Sequence, residues 1–150
     1  MVRATTRRGR ESERGAILIE AAMILPLMLF ICVGIFEFGR AFQSWQIVTN
    51  ASREGARIAV LPGSDNTKVT ERVRTYLRDG ALDKAAEAHV RIVRNVAVSI
   101  GSDTVNATRV TVEYPFSFMV LKPVATLIAG SAANPGEAFT MASSTTMRNE

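Results

Sequence analysis

The sequence predicts an α+β protein in which one long N-terminal helix spans a membrane, continues outside it and packs on a small antiparallel β-sheet. Three observations lead there. Residues 15–38, GAILIEAAMILPLMLFICVGIFEF, form an apolar run with no charged side chain between Ala21 and Phe36. Helical spacing of apolar and small residues continues beyond that run to about Val60. Downstream of Pro62-Gly63, residues 89–147 carry two-residue alternation broken by turn residues.

A chain of 150 residues has room for the apolar run and one globular unit. Its net charge of +4 would suit a nucleic-acid binder if it were spread over the body. It is not, because Arg3, Arg7, Arg8, Arg10 and Arg14 against Glu11 and Glu13 place +3 before Gly15. Residues 16–150 are therefore close to neutral, and no nucleic-acid partner is expected. Cys32 is alone and has no disulfide partner, so it reads as a small packing residue, and His89 is too solitary for a histidine-based metal cluster. No phosphate loop, nucleophile elbow or paired-carboxylate constellation is present, so neither an enzyme nor a cofactor is expected.

Residues 1–15 form a short polar leader whose composition disfavours a packed structure. The segment 16–38 has the roughly 20 residues that cross about 30 Å of hydrocarbon as a helix. Five arginines precede it, and only Arg40 and Arg53 follow within about 15–20 residues. That asymmetry predicts a cytoplasmic N-terminus, with residues 39–150 as an extracytoplasmic domain anchored in the inner membrane. An ordinary signal peptide fits less well, since its core is shorter and ends at a small-x-small site that is missing here. Pro26 cannot donate to the carbonyl of Ala22, which predicts a kink or a loosened turn.

Beyond Phe38 the periodicity holds. Phe38, Phe42, Trp45, Val48 and Ser52 form one stripe, while Ala51, Gly55 and Ala59 form a strip of small residues suited to close packing. Phe42 and Trp45 also suit the outer membrane interface. A helix from Ala16 to Val60 would be about 67 Å long, so only half of it can lie in lipid. Arg53, Glu54 and Arg57 can form surface pairs of small stabilising value.

After the Pro62-Gly63 turn, Asp65 or Thr67 can cap a second helix that ends at Asp79-Gly80, with Val69, Val73, Tyr76 and Leu77 on one face. A first strand is predicted over 89–100, with Val90, Ile92, Val96, Val98 and Ile100 pointing one way and Arg94 the exception. Gly101 to Asp103 supply a turn. A second strand follows over 109–114, stopped by Pro115. A third is expected over 139–147. The apolar stretch between them, Phe116 to Gly130, is too short and too interrupted by Lys122-Pro123 for a second span, and it reads as a loop over the open sheet face.

The acid inside the apolar run needs a counter-ion. A carboxylate there costs about 2.5–3.5 kcal/mol at the bilayer centre and less near the interface. If the chain were cut after Gly15, the new ammonium of Ala16 would lie one helical turn from Glu20. The pair could neutralise within one chain or between neighbouring subunits. Alternatively, Glu20 snorkels to the headgroups and Gly15 is incidental. The residues alone leave both readings open.

The ordered series from Arg14 to Arg57 resembles the N-terminal region of TadE-like proteins, the pseudopilins or minor pilins of tight-adherence (Tad, Flp-type) pili. The resemblance rests on RGAILIE, the Leu25-Pro26-Leu27 step, the Glu37-Phe38-Gly39-Arg40 exit and the block from Thr49 to Arg57. It implies a pilin-like fold and cleavage between Gly15 and Ala16 by a prepilin peptidase, with Glu20 as the fifth residue of the product. It also implies pilus subunits, minor pilins, an inner-membrane assembly platform and membrane lipids as partners. Glu37, Arg40, Arg53, Glu54 and Arg57 become candidate subunit contacts. Ala16 stands where pilins in general carry phenylalanine. Ala21 follows Glu20 in place of the Glu-Tyr step of Flp major pilins, which points to a minor component. The alternative is a permanent single-pass protein whose outer domain binds a partner without joining a fibre.

Overall fold

The computed structural model describes residues 8–101, 103–120 and 139–149. Helix α1 runs over Arg8–Ala59 and helix α2 over Asn66–Asp79; a 3₁₀ turn at Ala85–Glu87 leads into strands β1 (His89–Ile100), β2 (Asp103–Phe116) and β3 (Phe139–Arg148). The strands form one antiparallel sheet in the order β1-β2-β3. The expected α+β arrangement is the observed one.

Helix α1 begins upstream of the predicted start, because extending an existing helix adds one hydrogen bond per residue fixed, and Arg and Glu are good helix formers. It is unbroken across Pro26. Its 52 residues correspond to about 78 Å. The segment from Arg14 onward is apolar enough to cross a membrane, and none of its most apolar 18-residue window is buried. Ile17, Leu18, Ile19, Leu25, Leu29 and Ile35 all face outward. Cys32 is exposed with them and does not pack within the chain.

Past Phe38 the predicted stripe divides. Val48, Ala51, Ser52, Ala56 and Ala59 are buried against the body, whereas Phe38, Phe42 and Trp45, nearer the apolar run, stay exposed. The strip of small residues is core packing. A Cβ on Gly55 would stand 2.6 Å from Val73 Cγ2 and 3.2 Å from Val110 Cγ1, so only glycine lets α1 approach both α2 and β2 this closely. Asp65 caps α2 by accepting the N–H of Asn66, and the helix closes at Gly80, whose N–H donates to the carbonyl of Tyr76. Val69, Val73 and Leu77 of α2 join Val48, Ala51 and Ala59 of α1 over Val110, Val112, Tyr114, Phe116 and Met141 of the sheet. The domain is thus two layers, both helices on one sheet face.

The predicted single-facing pattern of β1 is corrected by the register. Val90 and Ile92 pair with Val112 and Val110, but Val96 and Val98 pair with Ala107 and Val105, so an irregularity between Val93 and Val96 sets Arg94 and Asn95 against Thr108 alone. This is a β-bulge, with Asn95 at φ +57°. One extra residue reverses the faces, and Val96 and Val98 therefore lie on the face opposite to Val90 and Ile92. Arg94 shares the helix-facing side of Val90 and Ile92, and it donates to the carbonyls of Ala59 at 2.8 Å and Ser64 at 3.0 Å and to Asn66 Oδ1.

Strand β2 starts earlier than predicted and runs through Pro115, which pairs with Thr140 of β3. Because β1 begins opposite Glu113, the other flank of β2 is open at Pro115 and can take its missing N–H. The third strand lies where it was expected. Of the apolar stretch that precedes it, residues 121–130 lie outside the described residues.

Candidate functional site at the membrane end of helix α1

Two parts of α1 concentrate the candidate residues. The first is its N-terminal end. Gly15 and Ala16 lie within the continuous helix, and a Cβ on Gly15 would meet nothing within 4 Å. Glu20, one turn on, is exposed among exposed apolar side chains and has no hydrogen-bond or ion-pair partner among the described residues. An acid on an apolar helix surface is a site that calls for a cation from outside the fold.

The second part is the C-terminal end of the apolar run. Glu37 faces the body and is fully buried. Its Oε1 accepts the backbone N–H of Val120, and Arg40 Nη2 lies 3.4 Å from its Oε2. The same Arg40 nitrogen donates to the carbonyl of Ser117. The Arg40 guanidinium stacks over the Phe116 ring at 4.7 Å from its centroid, and Phe118 meets that ring edge-on at 5.3 Å. The acid and base one turn apart on α1 thus clamp the chain just after β2. A buried carboxylate persists when a charged donor and a backbone N–H both satisfy it.

Farther up the helix, Glu54 takes a bidentate pair from Arg57 at 2.9 and 3.0 Å and two bonds from Arg72 of α2 at 3.0 and 3.1 Å. The hydrogen bonds from Arg57 hold its carboxyl at about 2, well below the ordinary 4.5, with Arg72 acting in the same direction against a partial desolvation. Arg57 is correspondingly raised by Glu54. This triad bridges α1 and α2, so the expected surface pair is a link between elements. Arg53 is exposed and has no partner among the described residues.

A third polar contact joins α1 to β3. Ser52 Oγ donates to the Thr49 carbonyl at 2.8 Å and lies 2.8 Å from Thr145 Oγ1 and 3.2 Å from Ser143 Oγ.

All these α1 side chains fall in one sequence block. Residues 15–57 match the family model of TadE-like proteins. The TadE-like block therefore includes Gly15, Ala16, Glu20, Pro26, the Glu37–Arg40 clamp and the Glu54–Arg57 pair, and it ends short of α2 and the sheet. No curated protein and no solved structure matches the chain. The match covers less than a third of the chain and is a likeness to TadE-like proteins over that stretch. Sequence reasoning found both residues of the clamp but not the segment they hold. Ser117 and Val120 enter through their backbones, which carry no signal of side-chain type.

Proposed function

We propose that this chain is a pseudopilin or minor pilin of a Tad pilus. In this reading it enters the cytoplasmic membrane with its arginine-rich leader inside and residues 39–150 outside. A prepilin peptidase cuts between Gly15 and Ala16, and the assembly platform then passes the subunit into, or to the start of, a surface pilus that serves adhesion. The supporting observation is Glu20, an exposed acid on an apolar helix surface without a partner among the described residues. The ammonium of Ala16 on a neighbouring subunit would supply its counter-ion as the helices come together. Arg53, exposed and unpaired within the described chain, offers a second contact point outside the membrane.

The deciding experiment is the mass of the intact protein purified from its own membrane. A product beginning at Ala16 is expected. A product that keeps its leader would overturn the reading in favour of a permanently tethered outer domain, and a start beyond Phe38 would make it a secreted domain.

A further inference from the structure

The sheet face turned away from the helices carries a diagonal row of three arginines. Arg91 of β1 pairs with Thr111, Arg109 of β2 pairs with Thr146, and Arg148 of β3 pairs with Ala107, so each arginine is offset by two residues from the next across one strand. Such diagonal neighbours stand about 7–8 Å apart. All three are exposed. None makes an ion pair among the described residues, and Arg91 and Arg148 make no hydrogen bond there either. Between them lies a ladder of hydroxyls: Thr111 Oγ1 is 3.1 Å from Ser144 Oγ, and Arg109 Nε donates to Thr146 at 3.2 Å. The bulge brings Val96 and Val98 to this same face, where alternation along β2 already sets Val105 and Ala107, the latter paired with Arg148. Among the described residues, Glu113 is the acid nearest the row on this face, two residues beyond Thr111, at the end where β1 begins.

We propose that this face binds an acidic polysaccharide outside the membrane. Repeated carboxylates on such a chain match guanidinium groups that repeat along a line. Its hydroxyls match the Thr111–Ser144–Thr146 ladder, and the C–H faces of its rings match the Val96–Val98–Val105 strip. Single-stranded nucleic acid is a poorer fit, because it is held on aromatic platforms and this row has no aromatic side chain among it. Lipid headgroups are out of reach. Val110, the neighbour of Arg109, packs at Gly55 of α1, and Arg94 reaches Ala59. Gly55 is about 26 Å along the helix from Phe38, whereas screening confines surface potentials to about 8 Å at physiological salt. The lipid argument rests on α1 as the span. The binding itself needs neither cleavage nor assembly, so it stands or falls separately from the pilus reading.

The test uses the full chain in detergent micelles and immobilised alginate, a polyuronate, with neutral dextran, double-stranded DNA and poly-glutamate as comparison probes. Binding to alginate but not dextran is expected, falling at least tenfold between 50 and 300 mM NaCl, each value an order-of-magnitude expectation. Replacing Arg91, Arg109 and Arg148 together by serine should abolish it, whereas replacing Lys68, Arg74 and Arg78 of α2 removes the same charge and should change it less than about twofold. Arg91→Ser and Arg148→Ser singly, which remove no hydrogen bond, should each weaken it about three- to tenfold. An unchanged thermal midpoint in these single variants separates binding from folding. No alginate binding at 50 mM NaCl, equal loss in the α2 variant, or binding to DNA or poly-glutamate as tight as to alginate would each overturn the proposal.

Discussion

The carboxylate of Glu37 is fully buried and accepts the backbone N–H of Val120, 83 residues later in the chain. Through this bond and the neighbouring Arg40–Ser117 contact, the foot of the α+β domain is fixed to α1 at the point where the helix leaves its apolar stretch. Truncating one partner of a buried, hydrogen-bonded charge pair costs about 2–5 kcal/mol, much of it from leaving the other groups unpaired. Glu37→Ala should therefore lower the stability of the outer domain to urea by about 2–4 kcal/mol. Amide exchange at Val120 should accelerate in step. Glu37→Gln keeps an acceptor oxygen and should lose less. Unchanged protection at Val120 in Glu37→Ala would show that the clamp does not hold this segment.

Gly55→Ala tests the close approach of α1 to the body. Alanine favours helix by about 1 kcal/mol over glycine, but its Cβ would meet a branched methyl of Val73 at 2.6 Å. Overpacking of this kind costs about 1–3 kcal/mol, so a net loss is expected in the thermal midpoint. Adding Val73→Ala removes the clashing methyl, and the double variant should lose less than the two single changes summed.

The Glu54 triad carries a pH dependence whose sign is fixed by its lowered carboxyl. The folded value of about 2 lies below the ordinary 4.5, so the stabilisation is present in full above about pH 5 and is lost as the pH falls toward 2. Arg57 and Arg72 remain charged throughout this range. Both arginines are about half exposed or more, at 60% and 49%, so solvent screening limits the contribution to about 1 kcal/mol or less. Glu54→Gln should flatten the stability curve between pH 5 and pH 2, read by denaturant midpoints at each pH, each limit being about as wide as the shift itself. An acid limb identical to that of the parent would rule the triad out as its source.

Arg94→Ala should lower the thermal midpoint, with a loss of about 1–3 kcal/mol. The guanidinium satisfies the carbonyl of Ala59 at the end of α1 and that of Ser64 in the following turn, and it adds a positive charge at a helix C-terminus. Arg94→Lys keeps the charge but cannot span three acceptors, and it should fall between the parent and the alanine variant.

Glu20→Ala and Gly15→Leu separate cleavage from assembly. The first should leave the mass of the mature product in register with a cut after Gly15 while reducing surface pili. The second should leave the leader attached. Normal piliation in Glu20→Ala would count against charge pairing as the assembly signal, even with cleavage intact.

Much of the site and fold was legible in the linear chain. The apolar run, its two acids, the unbroken helical spacing beyond it, a cap at Asp65 or Thr67 and the stop at Gly80 are all local properties that neighbouring residues dictate. So was the alternation of β1 from His89 to Ile100, but not its faces. Periodicity says which residues share a side. It does not say what that side meets. Phe38, Phe42 and Trp45 were grouped with Val48 and Ser52 by spacing, yet the body covers Val48 and Ser52 and leaves the three aromatic residues exposed.

The sequence by itself determined the long apolar helix, the acid Glu20 within it and the order of the elements, since each follows from side-chain type over a few turns. Tertiary structure decided that Glu37 is buried beneath Val120, that Glu54 reaches Arg72 on another helix, and that a bulge at Arg94 turns Val96 and Val98 onto the arginine-bearing face. These depend on pairings between residues far apart in the chain. A one-residue change of strand register reverses such an outcome without altering the local pattern that sequence reading relies on.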